Sequence, residues 1–158
     1  MPLQKKYLTK EQALQKLRHY CAYQERCHSE VEQKLWDLGV RRAEHDEIIS
    51  LLIEDDYLNE ERFAKQFAGG RFRLKNWGRN KIHWALREKK VSTYSINKAM
   101  KEIDQESYHK TLLQLAEKKY SILHGEPEAM RRKKTTDYLL QKGYEMELIA
   151  PVLREMKG

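Results

Sequence analysis

Proline and glycine are scarce in this chain, three and seven among 158 residues, and the Asn-Gly and Asp-Gly pairs that turn β-hairpins are missing altogether. Alternation of apolar and polar residues over more than four positions is equally hard to find, so no strand signal competes with a helical reading. No apolar run is long enough to cross a bilayer and nothing resembles a secretory signal, so a reducing cytoplasm without membrane attachment is the expected setting. The two cysteines, Cys21 and Cys27, lie six apart beside His28. Zinc sites pair close-spaced ligands with a second pair elsewhere; no second pair exists here, so the cysteines are read as buried or surface thiols and no metal is expected. Catalytic motifs are missing too: there is no phosphate-binding glycine loop and no metal-spaced carboxylate set, and the histidines at 19, 28, 45, 83, 109 and 124 fall in different segments. The sequence points away from an enzyme and from a cofactor.

What the chain does have is charge and helical periodicity. Charged residues make up 35% and hydrophobic residues 40%, enough for a core but in proportions suited to exposed helices. Thr9 with Gln12, and Ser29 with Glu32, form capping-box patterns that open segments carrying Leu14, Leu17 and Cys21, then Val31, Leu35 and Leu38, before Gly39 stops the second. A charged turn, "RRAEHD", leads into a short helix with Ile48, Ile49, Leu52 and Ile53. Asn59 caps a fourth helix with Phe63 and Phe67, interrupted at Gly69-Gly70 by either a hinge or, more simply, a close helix crossing. After the turn at "NWG", Ile82, Ala85 and Leu86 mark a fifth helix, and Ser92 caps a sixth with Ile96, Ala99, Met100 and Ile103. A third round starts near Gln105, breaks at "HGEP", resumes over Glu128 to Gln141, stops at Gly143 and ends near Met156, with Pro151 expected to bend the last helix or delay its start.

These segments repeat. Leu35, Leu86 and Leu139 are spaced by 51 and 53 residues, and each precedes a turn, Gly39-Val40, Lys90-Val91 and Gly143-Tyr144, that leads into a short apolar helix. That period fits three helices per unit. The predicted fold is all-α, an elongated and curved array of three tandem three-helix repeats at 9–58, 59–104 and 105–158 after an N-terminal extension at 1–8. Modules this small depend on stacking against their neighbours, and the resulting arc presents a long binding face. Nothing requires a dimer, so a monomer is expected.

Acids are kept out of one place. Residues 71–90 hold Arg71, Arg73, Lys75, Arg79, Lys81, Arg87, Lys89 and Lys90 against Glu88 alone, a local excess equal to the net charge of the whole chain, +7. Around the turn at Trp77-Gly78 these cations form a candidate patch for an anionic partner. Arg79 and Lys81 open a helix, where the positive end of the dipole disfavours them, which suggests an external anion; a solvated charged face is the plainer alternative. Trp77 could stack on a base or plug a junction between repeats, and Trp84, beside Ile82, Ala85 and Leu86, is read as core. Arg131, Arg132, Lys133 and Lys134 form a second run on the corresponding helix of the third repeat, able to line the same groove.

"YLNEERFA" at 57–64 followed by "WGRNKIHWAL" at 77–86 resembles the signature of the RecX regulators, small bacterial proteins that modulate the recombinase RecA. The matching residues are Tyr57, Leu58, Asn59, Glu61, Arg62, Phe63 and Ala64, then Gly78, Ile82 and Leu86. By helix chemistry most of these are structural: Asn59 as cap, Phe63 as core, Tyr57 and Leu58 as a staple between repeats. Asp56 departs from the pattern, standing where the family often has Gly, and the turn at 41–45 reads as longer than usual. The resemblance implies three tandem three-helix repeats and binding in the groove of the RecA filament on single-stranded DNA, modulating its ATPase and strand exchange by inhibition, with some direct DNA contact. The alternative is a stand-alone helical repeat that grips nucleic acid without sequence preference.

Overall fold

The computed structural model describes residues 8–156. Among them are nine helices and no strand: α1 (Lys10–Tyr23), α2 (His28–Asp37), α3 (Arg42–Glu54), α4 (Glu60–Lys75), α5 (Arg79–Glu88), α6 (Thr93–Met100), α7 (Gln105–Ile122), α8 (Glu128–Lys142) and α9 (Met146–Glu155). The closest helix packings all lie within the triplets α1–α3, α4–α6 and α7–α9, which makes the chain an all-α array of three tandem three-helix repeats. Side chains of Thr9, Asn59, Ser92 and Asp104 cap α1, α4, α6 and α7, each accepting from a backbone N–H three residues on.

The same turn closes the second helix of every repeat. Leu35, Leu86 and Leu139 are fully buried, and their carbonyls accept from Val40, Val91 and Tyr144 at 3.0, 3.1 and 3.1 Å. The residue before each donor, Gly39, Lys90 or Gly143, is left-handed, with φ of 73°, 62° and 102°. This is the helix-ending geometry that glycine favours and lysine tolerates at some cost.

Four local expectations are corrected. Helix α2 starts at His28, with Cys27 as its cap residue and the Glu30 carboxylate accepting the Cys27 N–H at 3.0 Å, so the box lies two residues before Ser29 and Glu32. Ser29 serves the next repeat instead, its hydroxyl donating to the Lys89 carbonyl at 2.6 Å. "RRAEHD" is the first turn and a half of α3 rather than a turn between helices, because His45 faces inward, its ring nitrogens 2.8 Å from a Glu32 carboxylate oxygen and 2.9 Å from the Val40 carbonyl. Helix α4 runs unbroken through Gly69 and Gly70; a methyl on Gly69 would first meet the Arg73 guanidinium and one on Gly70 would meet open space, so no interruption is present and no close backbone approach demands either glycine. Helix α9 starts at Met146 and continues through exposed Pro151, so the proline does not delay its start.

Two hydrophobic cores result. One fills the first repeat, from Ala13 and Leu17 through Leu35 and Ile48 to Leu58. The other is continuous through the second and third repeats, from Phe63 and Ile82 to Tyr108, Tyr144 and Leu153, and takes in Cys27 from the first. Burial pushes the thiol of Cys21 up to about 11 and raises that of Cys27. Between repeats one and two, Arg62 donates to Glu25 at 2.6 Å and to Asp56 at 3.1 Å.

Between repeats two and three the backbones themselves touch. Gly78 N–H donates to the Lys142 carbonyl at 2.8 Å and Asn80 N–H to that of Gly143 at 2.9 Å, so a methyl on Gly78 would collide with the Gly143 backbone. Gly78→Ala should lower the unfolding free energy by about 1–3 kcal/mol, the range for forced overpacking. Gly70→Ala, where the methyl meets open space, should raise it by about 1 kcal/mol. Urea titrations followed by far-ultraviolet circular dichroism check both.

Candidate functional site

Trp77 sits half-buried at the end of α4, edge-on to Phe67 with ring centroids 6.5 Å apart. Three cations surround its ring: the Arg71 guanidinium at 5.5 Å, the Lys75 ammonium at 5.9 Å and the Lys81 ammonium at 4.6 Å from the centroid. Contacts of this kind stabilise a cation by roughly 0.5–1 kcal/mol when exposed, which offsets part of the repulsion among like charges. Among the described residues Arg71, Arg73, Lys75, Lys81, Arg87 and Lys90 form no ion pair.

The patch continues into the third repeat along a route that sequence reading missed. Lys142 donates to the Lys75 carbonyl at 3.1 Å, and beyond it lies a cleft of about 270 Å³ whose lining includes Asn76, Lys118, Lys119 and Lys142, with no acid. Lys119 stands 5.1 Å from the centre of the Tyr138 ring. The signal for this continuation was the pair Gly78 and Gly143, legible as two turns but not as partners.

Other members of the basic set are engaged elsewhere. Arg79 pairs with Glu145 at 2.8 Å and lies 3.8 Å over the Tyr108 ring, while its backbone N–H donates to the Tyr108 hydroxyl at 3.0 Å. The anion that Arg79 needs at the start of α5 is therefore internal, supplied by the third repeat. Lys89 pairs with Glu30 at 3.4 Å. Arg131 lies 3.7 Å over the Tyr120 ring, Arg132 pairs with Glu128 at 2.8 Å and also donates to the Leu153 and Met156 carbonyls, Lys133 pairs with Asp137 at 2.9 Å and Lys134 with Glu126 at 2.7 Å. The exposed pairs of Lys133 and Lys134 contribute at most about 1 kcal/mol each and can exchange for an outside anion. Trp84 is corrected from core to surface: it is 65% exposed, because two residues past Ile82 means about 200° around a helix, the far side from Ile82 and Leu86.

Two family models match this chain, "RecX, second three-helix domain" over residues 59–100 and "RecX, third three-helix domain" over 106–153, together more than half its length. The chain belongs to the RecX family. Curated relatives named "Regulatory protein RecX" include one from Clostridium perfringens, 33% identical over 129 residues that span 80% of this chain and 60% of the relative. Another, from Bacillus cytotoxicus, is 29% identical over 138 residues, 87% of this chain and 51% of the relative, so the chain spans roughly half to three-fifths of these relatives. The crystal structure of RecX from Lactobacillus salivarius superposes with a TM-score of 0.84 at 23% identity, over 92% of this chain and 95% of that one. A second, "Crystal structure of regulatory protein RecX", gives 0.85 at 20% identity over 92% and 73%.

The RecX signature residues occupy architectural positions in this chain. Asn59 accepts from Arg62 N–H at 2.9 Å; Leu58, Phe63, Ala64, Ile82 and Leu86 are buried; Gly78 is the inter-repeat contact; Tyr57 and Glu61 are half-buried. Asp56 is left-handed, φ 62°, which explains why glycine suits that place.

Arg79→Ala should cost about 1–3 kcal/mol of stability, since it strips a donor from Glu145 and the cation from Tyr108, whereas Lys81→Ala should stay within about 0.5 kcal/mol. Burial and the hydrogen bond to Glu145 push the Tyr108 phenol far above its ordinary range. The folded chain keeps a proton that the unfolded chain sheds, so this stability is complete below about pH 10 and is lost as pH rises beyond it. Urea midpoints measured from pH 8 to 11 should fall above pH 10, and fall less in Tyr108→Phe.

Proposed function

We propose that this chain binds the RecA filament on single-stranded DNA and restrains its ATP hydrolysis and strand exchange by stoichiometric contact, acting as a cytoplasmic monomer without chemistry of its own. RecX family membership carries the reading. The Trp77 face supports it: a row of uncompensated cations with a half-buried indole, running from Arg71 through Lys75 and Lys81 to Lys142, suits a groove in which protein and phosphate lie together. Arg73, Arg87 and Lys90, which form no ion pair among the described residues, and Lys133 and Lys134, which can release surface acids, are taken as further contacts whose place relative to that row is for mutation to establish. Arg79 and Arg132 serve the contact indirectly, by fixing the repeats that present it.

ATP hydrolysis by the cognate RecA on single-stranded DNA, with this protein titrated well below one copy per RecA monomer, tests the reading. Progressive loss of hydrolysis at low ratio is expected. Lys75→Glu/Lys81→Glu/Lys142→Glu should keep the helical spectrum yet need roughly tenfold more protein, equivalent to about 1.4 kcal/mol of lost binding. An effect that begins only once bare DNA is saturated would sink the filament reading and leave a nucleic-acid grip in its place.

A further inference from the structure

The first repeat holds a second cationic cleft, outside both segments matched by the family models. It lies between α1 and α2, has a volume of about 490 Å³, and is lined by Lys16, His19, Tyr20, Tyr23, Arg26 and Lys34 with Leu38 at its edge and no acid. Among the described residues none of Lys16, His19, Arg26 or Lys34 forms an ion pair.

The cleft is organised around one ring. Arg26 lies 3.7 Å over Tyr20, held there by its Nε donating to the Tyr20 carbonyl at 3.1 Å, and Lys34 stands 5.3 Å from the same ring. Pinning Nε in this way leaves the two terminal nitrogens of Arg26 without a carboxylate, the fork that binds phosphate in paired fashion. Beside it Tyr23 is 83% exposed, a flat apolar face that no core packing requires. Cations alone would suit any anion. Cations joined to an unoccupied aromatic face suit an anion that carries a planar group, which is the composition of a nucleotide.

We propose that the α1–α2 cleft is a nucleotide-binding site, with the phosphate on Arg26, Lys16 and Lys34 and the base stacked on Tyr23. The nucleotide can be one unit of a single strand or a free molecule, and the test separates these sources. The site is distinct from the Trp77 face and does not depend on how that face is used.

Binding of a fluorescein-labelled thymidine decamer and of a fluorescent ATP analogue to the full chain, followed by anisotropy, supplies the test. Tyr23→Ala should weaken whichever probe binds by roughly tenfold, and Tyr23→Phe, which keeps the ring, should restore it. For the decamer, Lys16→Ala/Lys34→Ala should also flatten the slope of log affinity against log salt by about 0.7, the value for one phosphate contact on a single strand. Loss for the decamer alone identifies a strand as the source, and loss for the ATP analogue identifies a free nucleotide. The proposal is overturned if neither probe responds to Tyr23→Ala while Lys75→Glu/Lys81→Glu/Lys142→Glu abolishes binding, since the Trp77 face would then hold all of it. It is equally overturned if a glutamate decamer competes as well as the thymidine decamer and Tyr23→Ala changes neither, which would make the cleft a plain anion patch.

Discussion

The contact of Gly78 with Gly143 is the constraint around which the rest of this molecule is arranged. Two backbones approach until a single methyl would not fit, and two hydrogen bonds, Gly78 to Lys142 and Asn80 to Gly143, lock the start of α5 to the end of α8. The geometry of the Trp77 face follows from that lock. It brings Lys142 onto the Lys75 carbonyl, sets Glu145 beside Arg79, and places the Tyr144 hydroxyl 2.9 Å from the Asn76 carbonyl, which it donates to at the left-handed cap of α4. The Tyr108, Tyr144 and Phe72 rings then pack together beneath, 5.1 and 5.8 Å apart.

This arrangement explains how cations can crowd one surface with Glu145 as the one acid paired among them. A lone basic cluster would splay its side chains into water. Here the residues bearing the cations stand at the ends of α4 and α8 and at the start of α5, and each of these ends is fixed by the interlocked turns. Lys75 and Lys142, in the last turns of α4 and α8, also sit where the helix dipole favours positive charge. Arg79 and Lys81 lie at the disfavoured end; Glu145 offsets Arg79, and Lys81 stands nearest the Trp77 ring that it shares with Arg71 and Lys75. Charge left over after those partners are counted faces outward.

Much of the fold was legible because it is written in local rules. Thr9, Asn59 and Ser92 cap where their side chains can reach an orphan N–H, and the period of about 50 residues between Leu35, Leu86 and Leu139 marks one repeated helix end. The errors came where tertiary context outranked local pattern. Ser29 has Glu32 at the spacing of a capping box, but its hydroxyl is committed to Lys89, sixty residues away. "RRAEHD" looked too polar for a helix because the buried acceptors of His45, Glu32 and Val40, lie outside that stretch. Trp84 looked like core because adjacency in sequence was taken for adjacency on a helix face. The clustering of cations around Trp77 was legible and its extent was not, since neither Lys118 nor Lys142 stands near residue 77 in the chain.

The two cores carry a mechanical consequence. Repeats two and three share one continuous apolar interior and an interlocked backbone, whereas the first repeat has an interior of its own and meets the second through side chains, chiefly Arg62 with Glu25, Ser29 with Lys89, and Cys27. Side-chain hydrogen bonds and partly exposed ion pairs are individually weak and yield before a shared core does. The joint between the second and third repeats is therefore the stronger of the two, and the joint to the first is where the array should give first.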